Sequence, residues 1–335
     1  MQKKSQNFAG FAAALLTWQP IYGRQGLPWM VKNAYKRWLS EVMLQQTQVP
    51  VVSEYFKRFI AAFPTLSSLA KASEEDVMRL WAGLGYYSRA RNLLACAKKI
   101  EADFGGNFPK TREELMQLPG VGKSTAGAIA SFSFDAATPI LDGNVRRVFS
   151  RLIALKDPVD SASSLKTLWA LAEELIPEKD AGTYNQALMD IGSGICTRTH
   201  PHCEKCPVCA WCEAHRLGKT EFYPVRTKKT PKPVRQKAMK LYLQGDALWV
   251  VKRTGKGVWR GLWSLPEFDS LEGLPVASFQ HDFTHYRLQA KVYRETLPTR
   301  VNPEGPGKWL PWTEVESEAL PSPIKRLLLR LACTV

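Results

Sequence analysis

A mainly α N-terminal domain followed by a smaller α+β domain is the fold class that the 335-residue sequence predicts, and three observations carry the prediction. Capping signals and helical-period stripes recur as far as about residue 222, a basic Pro-containing stretch interrupts them after Tyr223, and short strand-like runs begin at Met239. The length exceeds the roughly 100 to 200 residues of a usual domain, which makes two domains the leading expectation. Hydrophobic residues at 45% and charged residues at 23% are ordinary globular values that exclude a disordered, collagenous or membrane-embedded class.

Taken in order, Phe8, Phe11, Ala12, Leu15 and Leu16 fall at i, i+3, i+4, i+7 and i+8, the stripe of an amphipathic helix. Lys3 and Lys4 ahead of this run imitate a signal peptide, but no small-x-small cleavage site follows before Pro20. No apolar run reaches the roughly 18 residues of a transmembrane helix, so the sequence predicts a cytoplasmic protein with no membrane partner. Ser73 with Asp76 starts a helix ahead of Val77, Leu80 and Trp81, and Thr111 with Glu114 forms a capping box ahead of Leu115 and Leu118. Pro50, Pro64, Pro109, Pro119, Pro158 and Pro177 punctuate the helices.

The stretch from Arg226 to Lys240 holds seven Lys or Arg, two Pro and no acid. It reads as an extended, self-repelling linker, either plainly solvated or lying along phosphates. Beyond it, residues 240–243, 247–252 and 290–296 have strand character and residues 324–332 helical character. The predicted organisation is therefore 1–225, a linker over 226–238, and a second domain over 239–335. No repeat of solenoid or propeller period is present.

Lys and Arg number 46 against 31 Asp and Glu, a net charge of +15 that fits either a polyanion binder or a merely basic soluble protein. Of seven cysteines, five crowd between Cys196 and Cys212, which suits a metal site in a reducing compartment better than a disulfide framework. Spacing alone leaves zinc and iron-sulfur both open, with the compact run closer to iron-sulfur usage. His200, His202 and His215 read as surface residues beside this run.

Residues 118–126 (LPGVGKSTA) join two helical runs. Their glycines either make an ordinary αα-turn or leave backbone N–H groups uncovered at a helix start for a phosphate. The spacing is not that of a Walker A loop. Two carboxylates complete the set. Glu41, four residues after Arg37 in YKRWLSEVMLQQTQV, taken alone reads as half of a weak helical ion pair, and Asp142 in ILDGNVRRV reads as a helix cap. A cap position holds a carboxylate ionised through backbone amides and the helix dipole.

Together these segments resemble the helix-hairpin-helix DNA glycosylase superfamily with an iron-sulfur loop, and within it the adenine DNA glycosylase (MutY) branch. The matching runs are residues 40–49, 83–94, 118–129 and 141–152, together with C-x6-C-x2-C-x5-C at Cys196, Cys203, Cys206 and Cys212. The resemblance implies two helical lobes with an iron-sulfur loop and a C-terminal α+β nudix-like domain, the latter matched by residues 259–268 and by Phe283, Thr284 and His285. No nudix hydrolase glutamate cluster is visible, so that domain is expected to read a lesion without hydrolysis.

The resemblance further implies a 4Fe-4S cluster on Cys196, Cys203, Cys206 and Cys212, with Cys209 left over and Cys96 and Cys333 without a role. A basic loop of Arg198, Lys205, Arg216 and Lys219 would surround it. The implied partner is double-stranded DNA carrying adenine opposite 8-oxoguanine or guanine, met by a monomer. Leu118, Gly120, Gly122, Lys123 and Ser124 would form the DNA-binding hairpin, Tyr86 would wedge into the helix, Gln46 would meet the vacated stack and Gln186 the flipped base. Catalysis would fall to Glu41 as general acid, Asp142 facing the sugar and Asn144 positioning it. Bifunctional relatives carry a Lys where this chain has Ser124, one position after Lys123, so no imine with the sugar is expected there. The segment around Met30 departs from the family pattern, and no pocket contact is assigned to it. The rival readings are an endonuclease III-like lyase for oxidised pyrimidines and a non-catalytic iron-sulfur DNA-binding protein.

Overall fold

The structure, a computed structural model, describes residues 7–227, 230–255, 257–270, 272–298, 301–303 and 305–332. Cys333 lies outside the described residues. The helices are α1 (Phe11–Tyr22), α2 (Ala34–Leu44), α3 (Val49–Ala62), α4 (Leu66–Ala70), α5 (Glu74–Trp81), α6 (Ser88–Phe104), α7 (Arg112–Leu115), α8 (Lys123–Phe134), α9 (Gly143–Leu152), α10 (Ala162–Leu175), α11 (Ala181–Asp190), α12 (Glu213–Arg216) and α13 (Ser322–Ala332). The strands are β1 (Val234–Gln244), β2 (Ala247–Lys252), β3 (Trp263–Ser264), β4 (Glu267–Phe268), β5 (Ala277–Asp282), β6 (Arg287–Thr296) and β7 (Gly307–Pro311). No helix among the described residues is long and apolar enough to cross a membrane.

The chain divides into two compact units, Met1–Ser67 with Cys96–Lys228, and Ser68–Ala95 with Lys229–Val335. The inclusion of residues 68–95 in the second unit was not visible in the sequence, because the helical pattern runs through that segment without a break.

The first unit is helical. Phe11 and Leu15 of α1 pack with Val148 and Phe149 of α9, Leu168 and Leu171 of α10, and Tyr184 and Leu188 of α11 in one buried cluster. Each such side chain contributes about 1.5–3 kcal/mol on burial. The apolar stripe read from the sequence is real, although the helix begins at Phe11 and carries Pro20 inside it. Asn33 caps α2 by accepting from Lys36 N, and α2 turns Trp38, Leu39, Val42 and Met43 inward against α8 and α3. Along α8, residues 126–132 are all buried. A Cβ on Gly127 would lie 2.3 Å from the Pro139 carbonyl oxygen, so only glycine lets the chain leading to α9 cross there. The capping box at Thr111 and Glu114 forms as the sequence predicts.

The second unit contains a seven-stranded sheet of order β3-β2-β1-β6-β5, with β4 paired to β1 and β7 to β2. β1 runs parallel to β6, and the other pairs are antiparallel. Met239, Leu241 and Leu243 alternate into the core with Leu248, Val250 and Val292, and α13 adds Ile324, Leu327 and Leu328. Within the same unit Ser73 caps α5, as its spacing with Asp76 predicts. Arg91 Nη1 donates to the Arg260 carbonyl at 2.6 Å, which ties the start of α6 to the turn before β3.

Candidate active site

A cavity of about 430 Å³ in the first unit is lined by Glu41 of α2, Asp142 and Asn144 at the start of α9, and Gln186 of α11. Three packing relations bring them together: α2 on α8, α8 on α11 and α11 on α9. Leu27, Trp29 and Met189 supply an apolar wall, and Arg24 and Arg37 supply positive charge. Volume and lining are those of a site for a small, partly polar group.

Glu41 sits in the last two turns of α2, and no side chain among the described residues hydrogen-bonds its carboxyl. Burial pushes its carboxyl up to about 7, Arg37 opposes that rise, Asp142 adds to it, and Arg24 opposes it more weakly. The ion pair with Arg37 suggested by the i, i+4 spacing is therefore not what sets its state. Desolvation outweighs the cation one turn away, because a carboxylate loses more from leaving water than it gains from a neighbour at that spacing.

Asp142 is the N-cap of α9 and accepts from Val145 N at 2.8 Å, as its position in the sequence predicts. Asn144 Nδ2 lies 3.4 Å from the other carboxylate oxygen, and Arg147 Nη2 donates to Asn144 Oδ1 at 2.9 Å. Burial raises the Asp142 carboxyl above its ordinary value, while the Val145 and Asn144 amides and the guanidinium groups of Arg147 and Arg146 pull it down. The net direction is upward, against what capping alone predicts. Ser124 Oγ accepts from Leu141 N at 3.1 Å, so its hydroxyl anchors the backbone immediately before Asp142. Behind this corner a Cβ on Gly192 would come within 2.6 Å of Asn144 Cβ, so glycine leaves the room that Asn144 occupies.

The hairpin between α7 and α8 places Gly120 at φ 76 and Gly122 as the N-cap of α8 with no side-chain cap. Its leading amides are thus free of a capping side chain, the condition for anion contact. Leu118 is buried beneath it. Lys123 lies 3.2 Å from Glu173 and 4.0 Å from the Trp169 ring centroid, engaged within the protein. Gln46 sits exposed in the turn after α2 at φ 59 and is not among the residues lining the cavity.

The cysteine loop follows a short π-helical turn over Ile191–Ile195. Cys196, Cys203, Cys206, Cys209 and Cys212 line one pocket, and His215, exposed as expected, also borders it. His200 and His202 face Glu221 and Glu204 instead. Burial first, then repulsion from neighbouring thiols, pushes Cys206 up to about 12 and Cys212 to about 11. Thiolates there need a cationic partner. No three Cys, His, Asp or Glu among the described residues are grouped to hold one metal ion, whereas all five thiols border one shared space.

Sequence reasoning missed Arg151, which is 1% exposed. Its guanidinium donates to Cys196 Sγ at 3.2 Å and to the Thr197, Arg198, Thr220 and Tyr223 carbonyls. Arg24, Trp29 and Asp190 were missed as well. Arg24 and Trp29 stand in the segment set aside for its departure at Met30, and nothing local marks any of the three.

In the second unit, Tyr86 (φ 48, 47% exposed) lines a pocket of about 510 Å³ with Trp259, Phe283, Thr284 and His285. Phe283, Thr284, His285 and Tyr286 form the turn between β5 and β6, closed by the Asp282 and Arg287 pair. Phe283 packs edge-on against Trp259 at 5.0 Å and His281 at 4.6 Å.

Residues 39–174 match the family described as HhH-GPD superfamily base excision DNA repair protein, and residues 238–330 match the NUDIX domain family. The adenine DNA glycosylase of Buchnera aphidicola subsp. Schizaphis graminum is 35% identical over 95% of this chain and 97% of its own. The Rattus norvegicus and Homo sapiens adenine DNA glycosylases are 34% and 33% identical over 95% of this chain and 77% and 73% of theirs. A solved thermostable thymine-DNA glycosylase superposes with TM-score 0.57 at 27% identity, covering 62% of this chain and 96% of that one. A non-covalent endonuclease III–DNA complex shares the fold, with TM-score 0.54 at 24% identity over 65% of this chain and 99% of that one.

Proposed function

The chain belongs to the adenine DNA glycosylase family, and from that premise we propose that it is a monofunctional enzyme releasing adenine opposite 8-oxoguanine, or opposite guanine, from duplex DNA. Adenine removal in base excision repair and a DNA substrate come with membership. The observation that carries the mechanism is the convergence of Glu41 and Asp142 on one cavity.

Adenine within a duplex is out of reach, so it is flipped into the cavity at a cost of a few kcal/mol, reduced by its weak mispair. Glu41, with its carboxyl near 7, is protonated in a large fraction of molecules at neutral pH and donates to N7 of the base. The C1′–N9 bond breaks and its electron pair leaves with adenine. Asp142 faces the resulting oxocarbenium-like sugar as a carboxylate, held by the Val145 amide. At about 4 Å and an effective dielectric near 20, that charge pair is worth about 4 kcal/mol, and the carboxylate can bond transiently to C1′ as in retaining glycosidases. Glu41, now ionised, takes a proton from the attacking water. Asn144 keeps Asp142 in place.

Ser124 supports the absence of lyase chemistry: its hydroxyl forms no imine, and it is engaged by the Leu141 amide. The pocket shared by Tyr86, Phe283, Thr284 and His285 supports a reading site for the base opposite adenine. The five thiols around one space, with the Arg151 guanidinium against Cys196, fit a 4Fe-4S cluster on Cys196, Cys203, Cys206 and Cys212 better than a single ion. That group would supply structural cross-linking of the loop, and hydrolysis requires no electron from it. The enzyme acts as a monomer.

Duplexes carrying adenine opposite 8-oxoguanine, adenine opposite guanine, and thymine glycol, incubated with and without alkali, test the assignment. Adenine release with strand cleavage only after alkali is expected. Efficient borohydride trapping through residue 123 or 124, with cleavage keeping pace with base loss, would overturn it.

A further inference from the structure

Asp190, the last residue of α11, is 5% exposed and is not among the residues lining the cavity that holds Glu41 and Asp142. Its carboxylate accepts from Arg24 N at 2.9 Å on one oxygen, and on the other from Arg24 Nε at 2.6 Å and Gln186 Nε2 at 2.8 Å. The approach of the Arg24 backbone depends on Gly23, where a Cβ would stand 2.9 Å from the Asp190 oxygen and 2.6 Å from the Gln19 carbonyl oxygen. The carboxylate is therefore clasped from two directions and one turn of helix from Gln186.

We propose that Asp190 is a positioning residue that sets base selectivity by fixing which end of the Gln186 amide faces the cavity. The inference rests on the reading that this cavity receives the flipped base. A carboxylate paired with a guanidinium has acceptors only, so the glutamine must turn its NH₂ toward Asp190. Its carbonyl oxygen then faces the cavity, with no donor paired to it among the described residues. A wall that presents a fixed acceptor takes a base edge that carries donors, such as the exocyclic amine of adenine. It opposes a base with a carbonyl at that place, because two acceptors then meet without water. An unanchored amide would rotate and accept either edge, so the selectivity lies in the anchoring carboxylate, which does not touch the base.

The test is single-turnover excision of adenine and of hypoxanthine, each opposite 8-oxoguanine, by the full chain. Wild type, Asp190→Asn, Gln186→Met and the double variant are compared. In Asp190→Asn the side chain that faces the glutamine carries a donor as well as an acceptor, so it no longer fixes which end of the Gln186 amide turns to the cavity. We expect the adenine-to-hypoxanthine rate ratio to fall at least about tenfold in Asp190→Asn and in Gln186→Met, with no further fall in the double variant. A purely structural role for Asp190 would slow both substrates alike and leave the ratio unchanged, which overturns the proposal. A ratio unchanged in Gln186→Met overturns the cavity reading itself, and wild type that fails to release adenine overturns the assigned reaction. Should Asp190→Asn not fold, Asp190→Ala, which frees the amide to rotate, must lower the ratio by the same order.

Discussion

If Glu41 is the general acid, excision depends on its protonated form, and the rate must fall as pH rises through its pKa. Burial sets that value at about 7 and Arg37 holds it below where burial alone would leave it. Replacing Arg37 by Met removes the cation and keeps an aliphatic stem where Arg37 now lies over the Phe132 ring at 4.7 Å. Helix neighbours four apart are about 6 Å from each other, and at an effective dielectric near 20 a charge pair at that separation is worth about 2.8 kcal/mol. At 1.36 kcal/mol per pKa unit, about 2 is the upper bound, so the alkaline limb of the single-turnover profile should move up by about 1 to 2 pH units in Arg37→Met. The assay is adenine release from an 8-oxoguanine duplex at saturating enzyme between pH 5.5 and 9.5. Glu41→Gln, measured alongside, should lose about 10² to 10⁴ in rate and show no limb. A limb that stays in place in Arg37→Met, or survives in Glu41→Gln, would refute the assignment of the acid.

The same carboxyl makes a stability prediction. Its folded pKa is raised from 4.5 to about 7, so it costs nothing below 4.5 and destabilises the fold increasingly as pH rises, by up to about 3 kcal/mol above 7. Glu41→Gln should therefore melt higher than wild type at pH 8, and the gap should close by pH 4.5 in parallel thermal scans. Gly192→Ala drives a Cβ to 2.6 Å from Asn144 Cβ, so excision should drop at least about tenfold while binding to an uncleavable duplex persists. Arg151→Met removes the donor that the Thr197, Arg198 and Tyr223 carbonyls share and should reduce bound iron per chain along with the melting temperature. Cys209→Ser should keep the iron content of wild type, whereas Cys206→Ser should not, as measured by iron analysis and visible absorption.

The sequence by itself determined what depends on near neighbours along the chain. Asp142 caps α9 and Thr111 caps α7 because a side-chain oxygen two or three residues ahead of an unpaired amide has little choice of partner. The strand character of residues 240–243, the serine at position 124 and the clustered cysteines were legible for the same reason, whereas Val234–Ala238, read as the end of the linker, form the first half of β1 because β6 pairs with them. Tertiary structure alone decided the rest. Glu41 reads as a solvated helix residue until α2, α9 and α11 close over it, since desolvation depends on what surrounds a group in space. The clasp between Arg24 and Asp190 joins residues 166 apart, and Arg151 gathers carbonyls from as far as 72 residues along the chain. Such bonds have no period and no local signature, because a buried charge takes its partners from whatever backbone the fold brings within reach.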